Sequence, residues 1–217
     1  MNNSINQPTI SNDEIIRPTR LEIDLKILAE NYERIKTYTA PSKMMPILKA
    51  NAYGHGLVRV AKLMQSLKSD YIGVAVLEEG ILLRENGITI PILVLGGIWG
   101  NQIPIFLKNN LTITASSIEK LNQIDLIAGQ MKIKAKVHLK IDTGLERIGV
   151  HYYSAGKLLE TSLNCKNIVI EGIYSHFATT DTSDLSYAKL QLERFNSVAS
   201  FFEKHSLPSP LKHISKS

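Results

Sequence analysis

The sequence lacks several features that would each define a class of protein. Its 217 residues include one cysteine, Cys165, which excludes an internal disulfide and any cysteine-rich zinc site. No apolar run approaches the roughly 18 residues that a membrane-spanning helix requires. The opening residues, MNNSINQPTISNDE, also lack the basic and then apolar order of a signal peptide. These absences predict a cytoplasmic protein without a membrane partner.

Several catalytic signatures are missing as well. The sequence has no G-x-S-x-G elbow and no Walker loop, so neither of those chemistries is supported. The six histidines lack H-E-x-x-H or a comparable spacing, and we therefore expect no metal site. Arg59 stands where a dinucleotide fingerprint beginning at Gly54 would need a third small residue.

The charge balance is basic, but its pattern does not favour a nucleic-acid partner. The formal net charge is +5, from 25 lysines and arginines against 20 acidic residues. The basic residues are scattered, and aromatic residues make up 6% of the chain. In the densest basic stretch, residues 132–140, the lysines alternate with apolar residues instead of forming a run.

Composition and length indicate one globular domain. Hydrophobic residues make up 44% of the chain and charged residues 21%, which is ordinary for a globular protein. A chain of this length can form one domain with a full core. We interpret residues 1–16 as a disordered leader and residues 17–217 as the domain.

Apolar segments of strand length alternate with segments of helical period. The predicted strands are residues 43–48, 71–76, 91–95, 111–115, 133–141, 168–174 and 211–214. Such alternation is typical of parallel strands joined by helical crossovers. A (β/α)8 barrel has eight strands and about 250 residues. The prediction is therefore an α/β fold, a (β/α)8 TIM-type barrel truncated after its seventh strand, with an open doubly wound sheet as the alternative.

The fifth predicted strand, residues 133–141, has two different faces. Its odd-numbered positions are apolar, and its even-numbered positions are Lys134, Lys136, His138 and Lys140. Successive side chains of a strand point to opposite faces of the sheet. If the apolar face meets the helices, the polar face lines the barrel interior. The alternative is a solvated edge strand.

Reactive side chains collect where the predicted strands end, which is where the active sites of such barrels form. These are Lys49 after the first strand, Lys140 and Asp142 at the fifth, Ser175 and His176 at the sixth, and residues 215–217 after the seventh. Lys49 opens the segment KANAYGHG. An anchored lysine can form a Schiff base with a carbonyl compound or with pyridoxal phosphate. The alternative is a lysine that merely leaves the sheet for solvent, beside a half-buried turn aromatic, Tyr53.

Four segments resemble those of bacterial alanine racemases, and in that family's order. KANAYGHG (residues 49–56) is similar to the family's pyridoxal-phosphate attachment motif, and RPTRLEIDL (17–25), KIDTGLERIGV (140–150) and EGIYSHFATTD (171–181) are similar to other segments. The resemblance implies a barrel followed by a β-rich C-terminal domain and a homodimer. It also implies pyridoxal 5′-phosphate as cofactor and interconversion of L- and D-alanine for peptidoglycan synthesis.

The resemblance assigns expected roles residue by residue. Lys49 would carry the cofactor as a Schiff base and act as the base on the D-alanine side. Tyr53 would bind the cofactor phosphate, and Arg147 would hydrogen-bond the phenolic oxygen. Lys140 corresponds to a lysine that is carbamylated in some members and supports that arginine. His176 would be a partner of the opposite base.

Other parts of the family pattern are not within these residues. Ser217 matches a phosphate-binding serine, but Lys216 stands where asparagine is expected. The tyrosine that serves as second base, the arginine that faces the pyridine nitrogen and the C-terminal domain have no counterpart. Racemisation needs a base on each face of the substrate. We therefore expect racemase activity of the complete protein and little from this fragment; the alternatives are a non-catalytic pyridoxal-phosphate binder and a non-functional truncated product.

Overall fold

A computed structural model of the protein describes residues 21–216, so the leader predicted for residues 1–16 and Ser217 lie outside it. Its helices are α1 (Leu25–Tyr38), α2 (Lys49–Tyr53), α3 (Leu57–Ser66), α4 (Leu77–Glu85), α5 (Ile103–Lys108), α6 (Ile118–Met131), α7 (Ala155–Asn164), α8 (Ser186–Ala199) and α9 (Phe201–Lys204). Its strands are β1 (Ile72–Val74), β2 (Ile92–Val94), β3 (Thr112–Ala115), β4 (Ala135–Asp142), β5 (Val150–His151), β6 (Ile168–His176) and β7 (Leu211–Ser215). No helix between residues 21 and 216 is both long and apolar enough to cross a bilayer.

The strands form one parallel sheet in the order β1-β2-β3-β4-β6-β7, and the two-residue strand β5 pairs with the end of β4. The sheet curls into a half-barrel. Tyr71, just before β1, donates its hydroxyl to Glu171 of β6, although three strands lie between β1 and β6 in the sheet. A flat, open sheet could not bring these side chains together. The predicted α/β barrel architecture is confirmed, and the doubly wound alternative is wrong.

The first predicted strand, residues 43–48, is only partly realised. Its residues run beside β1, where Leu48 N–H donates to Gly73 O at 2.7 Å and Gly73 N–H donates to Pro46 O at 2.9 Å. One isolated bridge, between Ile47 and Gly73, is the extent of its pairing within the described residues. Pro46 has no N–H to extend a ladder, which explains the short pairing. The segment still places Lys49 at the carboxyl edge of the sheet.

The two-faced pattern of the fifth predicted strand corresponds to β4, which lies between β3 and β6. His138 and Lys140 are buried on its inner face, so the prediction of a polar interior is confirmed and the edge-strand alternative is wrong. A bulge at β6 places Gly172 opposite His138. A Cβ atom at position 172 would lie 2.5 Å from the imidazole ring, so only glycine fits there.

Arg84, in the last turn of α4, bonds two loops to the helix layer. Its guanidinium donates to the carbonyl oxygens of Ile88 (2.7 Å), Ile90 (2.8 Å), Asn109 (3.1 Å) and Asn110 (2.9 Å). These carbonyls precede β2 and β3, so one side chain fixes where both strands begin. Burial lowers the pKa of the guanidinium from its ordinary value, and a planar fork of donors matches this set of acceptors better than a single ammonium can.

We expect Arg84→Lys to lower the free energy of unfolding by about 2–4 kcal/mol, because a lysine keeps the charge but leaves several carbonyls without their donor. Urea unfolding monitored by circular dichroism measures the loss. Arg34→Lys is the matched control, since Arg34 is exposed on α1 and the same exchange there should change stability by less than about 0.5 kcal/mol. Equal effects of the two exchanges would contradict the role given to Arg84.

Candidate active site

A cavity of about 620 Å³ opens at the carboxyl edge of the sheet. Its wall includes the side chains of Lys49, Lys140, Arg147, His176 and Lys216, and no aspartate or glutamate between residues 21 and 216 belongs to its lining. Basic groups from four separate chain segments therefore face one space, and within residues 21–216 Lys216 alone among them is ion-paired with a carboxylate, that of Asp181. Such a cavity favours an anionic ligand.

Lys49 reaches the cavity from the start of an unusual turn. The four residues after it, Ala50 to Tyr53, all have φ between 52° and 56°, which makes α2 a left-handed turn and not an ordinary helix. Non-glycine residues rarely adopt this conformation, and never for long. The Lys49 amine lies 5.9 Å from the centre of the Tyr53 ring, and no carboxylate among residues 21–216 forms an ion pair with it.

The loop after β4 places Arg147 at the cavity. The carboxylate of Asp142 accepts the backbone N–H groups of Gly144 (2.8 Å), Leu145 (3.0 Å) and Arg147 (3.1 Å). These backbone donors hold the pKa of Asp142 below its ordinary value although burial acts to raise it. The D-T-G-L-E-R segment is thus wound around one carboxylate, and the guanidinium of Arg147 projects without a hydrogen-bond partner in the described part of the chain.

Helix α8 joins this loop to the end of β6. Gln191, fully buried on α8, donates to Thr143 Oγ1 and to the carbonyl oxygen of His176, both at 3.2 Å. Its Oε1 accepts the N–H of Ala178 at 2.9 Å. Burial, and then the positive charges of Arg147, Lys140 and Lys49, lower the pKa of His176 from its ordinary value. The imidazole at the cavity wall is therefore neutral at neutral pH.

Lys140 lies deeper than the other basic residues. Its side chain is 3% exposed, and its amine donates to the carbonyl oxygen of Ile141 at 3.2 Å and lies 4.9 Å from the centre of the Tyr174 ring. Burial lowers the pKa of Lys140 to about 8, with Arg147 acting in the same direction and Asp142 against it. A substantial neutral fraction of this amine exists near pH 8.

A pair of histidines lies at the cavity, and His213 forms part of the cavity wall. His138 Nδ1 and His213 Nε2 are 2.9 Å apart, so one ring donates to the other. The other nitrogen of His138 is buried without a hydrogen-bond partner in the described residues. Burial lowers the pKa of His138 to about 4, and burial with the charges of His138 and Lys140 lowers that of His213 to about 3. Both rings are therefore neutral in the folded protein at neutral pH.

The structure brings together most of the residues that the sequence singled out. Lys49, Tyr53, Lys140, Arg147 and His176 all line the cavity, and Ser217 lies outside the described residues. The amine of Lys216 bonds to Asp181 Oδ1 at 2.8 Å and to Ala178 O at 3.1 Å. Sequence reasoning missed Glu79, Gln191 and the His138–His213 pair as supports, because their partners are far away in the chain.

One group of possible metal ligands also forms. Donor atoms of Asp142, Glu146 and His151 lie within 4.8 Å of one another. The oxygens of Asp142 already accept three backbone N–H groups, which accounts for its position without an ion. This cluster lies in the turn that carries Arg147.

We expect the free energy of unfolding to fall by about 2 kcal/mol per histidine between pH 6.5 and pH 5, because the unfolded chain protonates His138 and His213 there and the folded chain does not. Stability is thus present above pH 6.5 and is lost as the pH falls. Urea titrations at several pH values should show that His213→Gln lowers the number of protons taken up on unfolding by about one. His205→Gln, at an exposed position, should leave it unchanged; an unaltered slope in His213→Gln would contradict the assignment.

Comparisons with known proteins agree on one family. A family model described as "Alanine racemase, N-terminal domain" matches residues 23–217. Alanine racemase 1 of Caldanaerobacter subterraneus subsp. tengcongensis is 40% identical over 201 residues, which are 92% of this chain and 52% of the relative. An alanine racemase of Methanococcus maripaludis is 38% identical over 94% of this chain and 55% of its own length. The chain spans about half the length of the curated relatives it matches.

Solved structures give the same result. An alanine racemase of Clostridium difficile 630 superposes with a TM-score of 0.88 at 38% identity, over 94% of this chain and 57% of that one. A histidine racemase of Leuconostoc mesenteroides superposes with a TM-score of 0.78 at 28% identity, over 88% of this chain and 50% of that one. The resemblance carried by the four sequence segments is confirmed, and because the family model covers residues 23–217, the chain belongs to the alanine racemase N-terminal domain family.

Proposed function

We propose that this chain binds pyridoxal 5′-phosphate in its cavity, attached to Lys49, and that it forms the N-terminal part of an alanine racemase. The observation that carries the proposal concerns Lys49 and Arg147: within residues 21–216 neither side chain has an ion-pair partner, and no carboxylate of those residues lines the cavity that both side chains face. Family membership supports the identity of the ligand. The racemase activity of the complete protein, its substrate and its homodimeric state are parts of the same proposal.

The donor set fits the chemical groups of this cofactor. An aldehyde requires an amine, which Lys49 supplies at the cavity wall. A phosphate and a phenolic oxygen, both anionic, require donors and positive charge. We assign the phenolic oxygen to Arg147 and a phosphate oxygen to the hydroxyl of Tyr53, with Ser217 as a further phosphate ligand.

The residues of this chain can manage protons on one face of a bound amino acid. Pyridoxal phosphate supplies an electron sink that stabilises the carbanion left when the α-proton is removed. We propose Lys49 as the base that takes or returns that proton on one face. His176, held neutral by burial and by its basic neighbours, would hydrogen-bond the base that acts on the other face.

Alanine is the proposed substrate of the complete protein, and D-alanine for peptidoglycan its proposed product. Relatives named alanine racemase at 35% to 40% identity support this choice. A histidine racemase shares the fold, so the fold alone does not select alanine. A cytoplasmic location is part of the proposal, because peptidoglycan precursors would use the product there.

We expect Lys49→Ala to abolish covalent attachment of pyridoxal phosphate, because the attacking amine is removed. Purified chain is incubated with the cofactor and reduced with borohydride, and the labelled peptide is identified by mass spectrometry. Lys62→Ala, at an exposed position of α3, is the matched control and should label like the unaltered chain. Label on another lysine, or none, would refute the assignment.

Turnover is tested with a chimera in which this chain replaces the matching part of the Caldanaerobacter alanine racemase. The chimera should convert L-alanine to D-alanine, and Lys49→Ala should reduce that rate by at least about a thousandfold, as expected for loss of a covalent and acid–base group. The Lys62→Ala chimera is the control. Attachment without turnover of alanine would favour a non-catalytic binder or another amino-acid substrate.

We further propose that Lys140 accepts carbon dioxide as a carbamate that supports Arg147. Its pKa of about 8 provides the neutral amine that this reaction requires. Nuclear magnetic resonance with isotope-labelled bicarbonate should show a carbamate that grows as the pH rises through 8 and disappears in Lys140→Ala. A signal that survives in Lys140→Ala, or that never forms, would exclude this role.

A further inference from the structure

A single carboxylate connects the turn that carries Lys49 to the neighbouring strand end. Glu79 lies in the first turn of α4, and its Oε1 accepts the N–H of Ala50 at 2.7 Å. Its Oε2 accepts the N–H of Ala75 at 2.8 Å and that of Val76 at 3.4 Å. Ala50 directly follows Lys49, and Ala75 lines the cavity just beyond β1.

The left-handed turn needs a partner at its beginning. Its later residues are held locally, since Gly54 N–H donates to Ala50 O at 3.1 Å and Asn51 Oδ1 accepts the N–H of Leu57 at 2.8 Å. The N–H of Ala50 has no such local acceptor, and its partner is Glu79, 29 positions further along the chain. Ala50 itself is exposed. Strained backbone of this kind persists where the surroundings fix it, and at this end the fixing group is Glu79.

We propose that Glu79 is a positioning residue for Lys49: by holding the first amide of the left-handed turn against the end of β1, it aims the lysine amine into the cavity. This role rests on the proposed attachment of the cofactor at Lys49. It also explains how a carboxylate lies near the lysine without neutralising it. Both oxygens of Glu79 are occupied by backbone N–H groups, and no ion pair to Lys49 forms within the described residues.

The geometry distinguishes this role from ordinary stabilisation of a helix end. Glu78 lies beside Glu79 in the same first turn of α4, where an acidic side chain interacts favourably with the helix dipole. Glu78 is exposed and has no hydrogen bond to the turn. Loss of either charge removes a dipole interaction, but only loss at Glu79 releases Ala50. In Glu79→Gln only the oxygen of the side-chain amide can accept a hydrogen bond. The amide nitrogen is a donor, and it must therefore face one of the backbone N–H groups that the carboxylate had accepted.

The first test is amide hydrogen exchange in the unaltered chain, which needs no cofactor. The Ala50 amide should be protected although the residue is exposed, and Glu79→Gln should exchange it about tenfold to a hundredfold faster. Glu78→Gln should leave it within about twofold. An unprotected Ala50 amide in the unaltered chain would overturn the proposal even if the variants fail to fold.

The second test separates aiming of the amine from binding of the ligand. Glu79→Gln should slow covalent attachment of pyridoxal phosphate at Lys49 by about tenfold or more. It should weaken non-covalent binding of pyridoxine 5′-phosphate, which lacks the aldehyde, by less than about threefold, since Asn51 still bonds the turn to Leu57 of α3. Glu78→Gln should change neither quantity.

The outcomes divide between the two proposals. Attachment in Glu79→Gln at the unaltered rate, or a parallel loss of attachment, non-covalent binding and thermal stability, would overturn the positioning role. Failure of the unaltered chain to attach the cofactor at Lys49 would instead sink the proposed function, while the exchange of Ala50 still shows whether Glu79 holds the turn.

Discussion

The left-handed turn at Ala50 to Tyr53 is the constraint on which the site depends. Each non-glycine residue in this conformation costs about 1–2 kcal/mol, so the run survives because its polar groups are satisfied by neighbours on both sides. Leu48, just before the turn, bonds to Gly73 of β1, and Asn51 within it bonds to Leu57 of α3. The main chain at Lys49 is therefore fixed by the sheet before it and by the strained turn after it. Two of the four residues are alanines, whose small side chains keep the crowding of such a turn low.

Burial and like charge act in the same direction around the cavity. Burial lowers the pKa of both Lys140 and His176, and the charge of Arg147 acts in the same direction on each, although Asp142 opposes the shift at Lys140. The guanidinium of Arg147 contributes a further positive charge. A cavity of this kind carries electrostatic repulsion that any bound anion relieves. The rigid supports, Asp142 under the Arg147 loop and Gln191 behind His176, keep these groups from moving apart to relieve it themselves.

Much of the fold could be predicted from local sequence patterns, whereas the residues that support the site could not. Period-two alternation in residues 133–141 predicted the inner face of β4 because side-chain direction in a strand is a local property. The early end of pairing at Pro46 and the bulge opposite His138 were missed because both arise from pairing between strands. The chemistry-bearing residues were found by their positions after strands and by resemblance. Glu79 was not, since its contact is with a backbone amide that no sequence pattern marks.

The order of the chain adds a consequence of the contact between Glu79 and Ala50. The two residues are 29 positions apart, so closing the loop between them costs less chain entropy than joining the ends of the sheet. A chain synthesised from its N-terminus presents Lys49, the turn and α4 to one another before β4 exists. The wall of the cavity that holds Lys49 thus belongs to the first part of the nascent chain, and the wall that holds Arg147 and His176 is added to it later in translation.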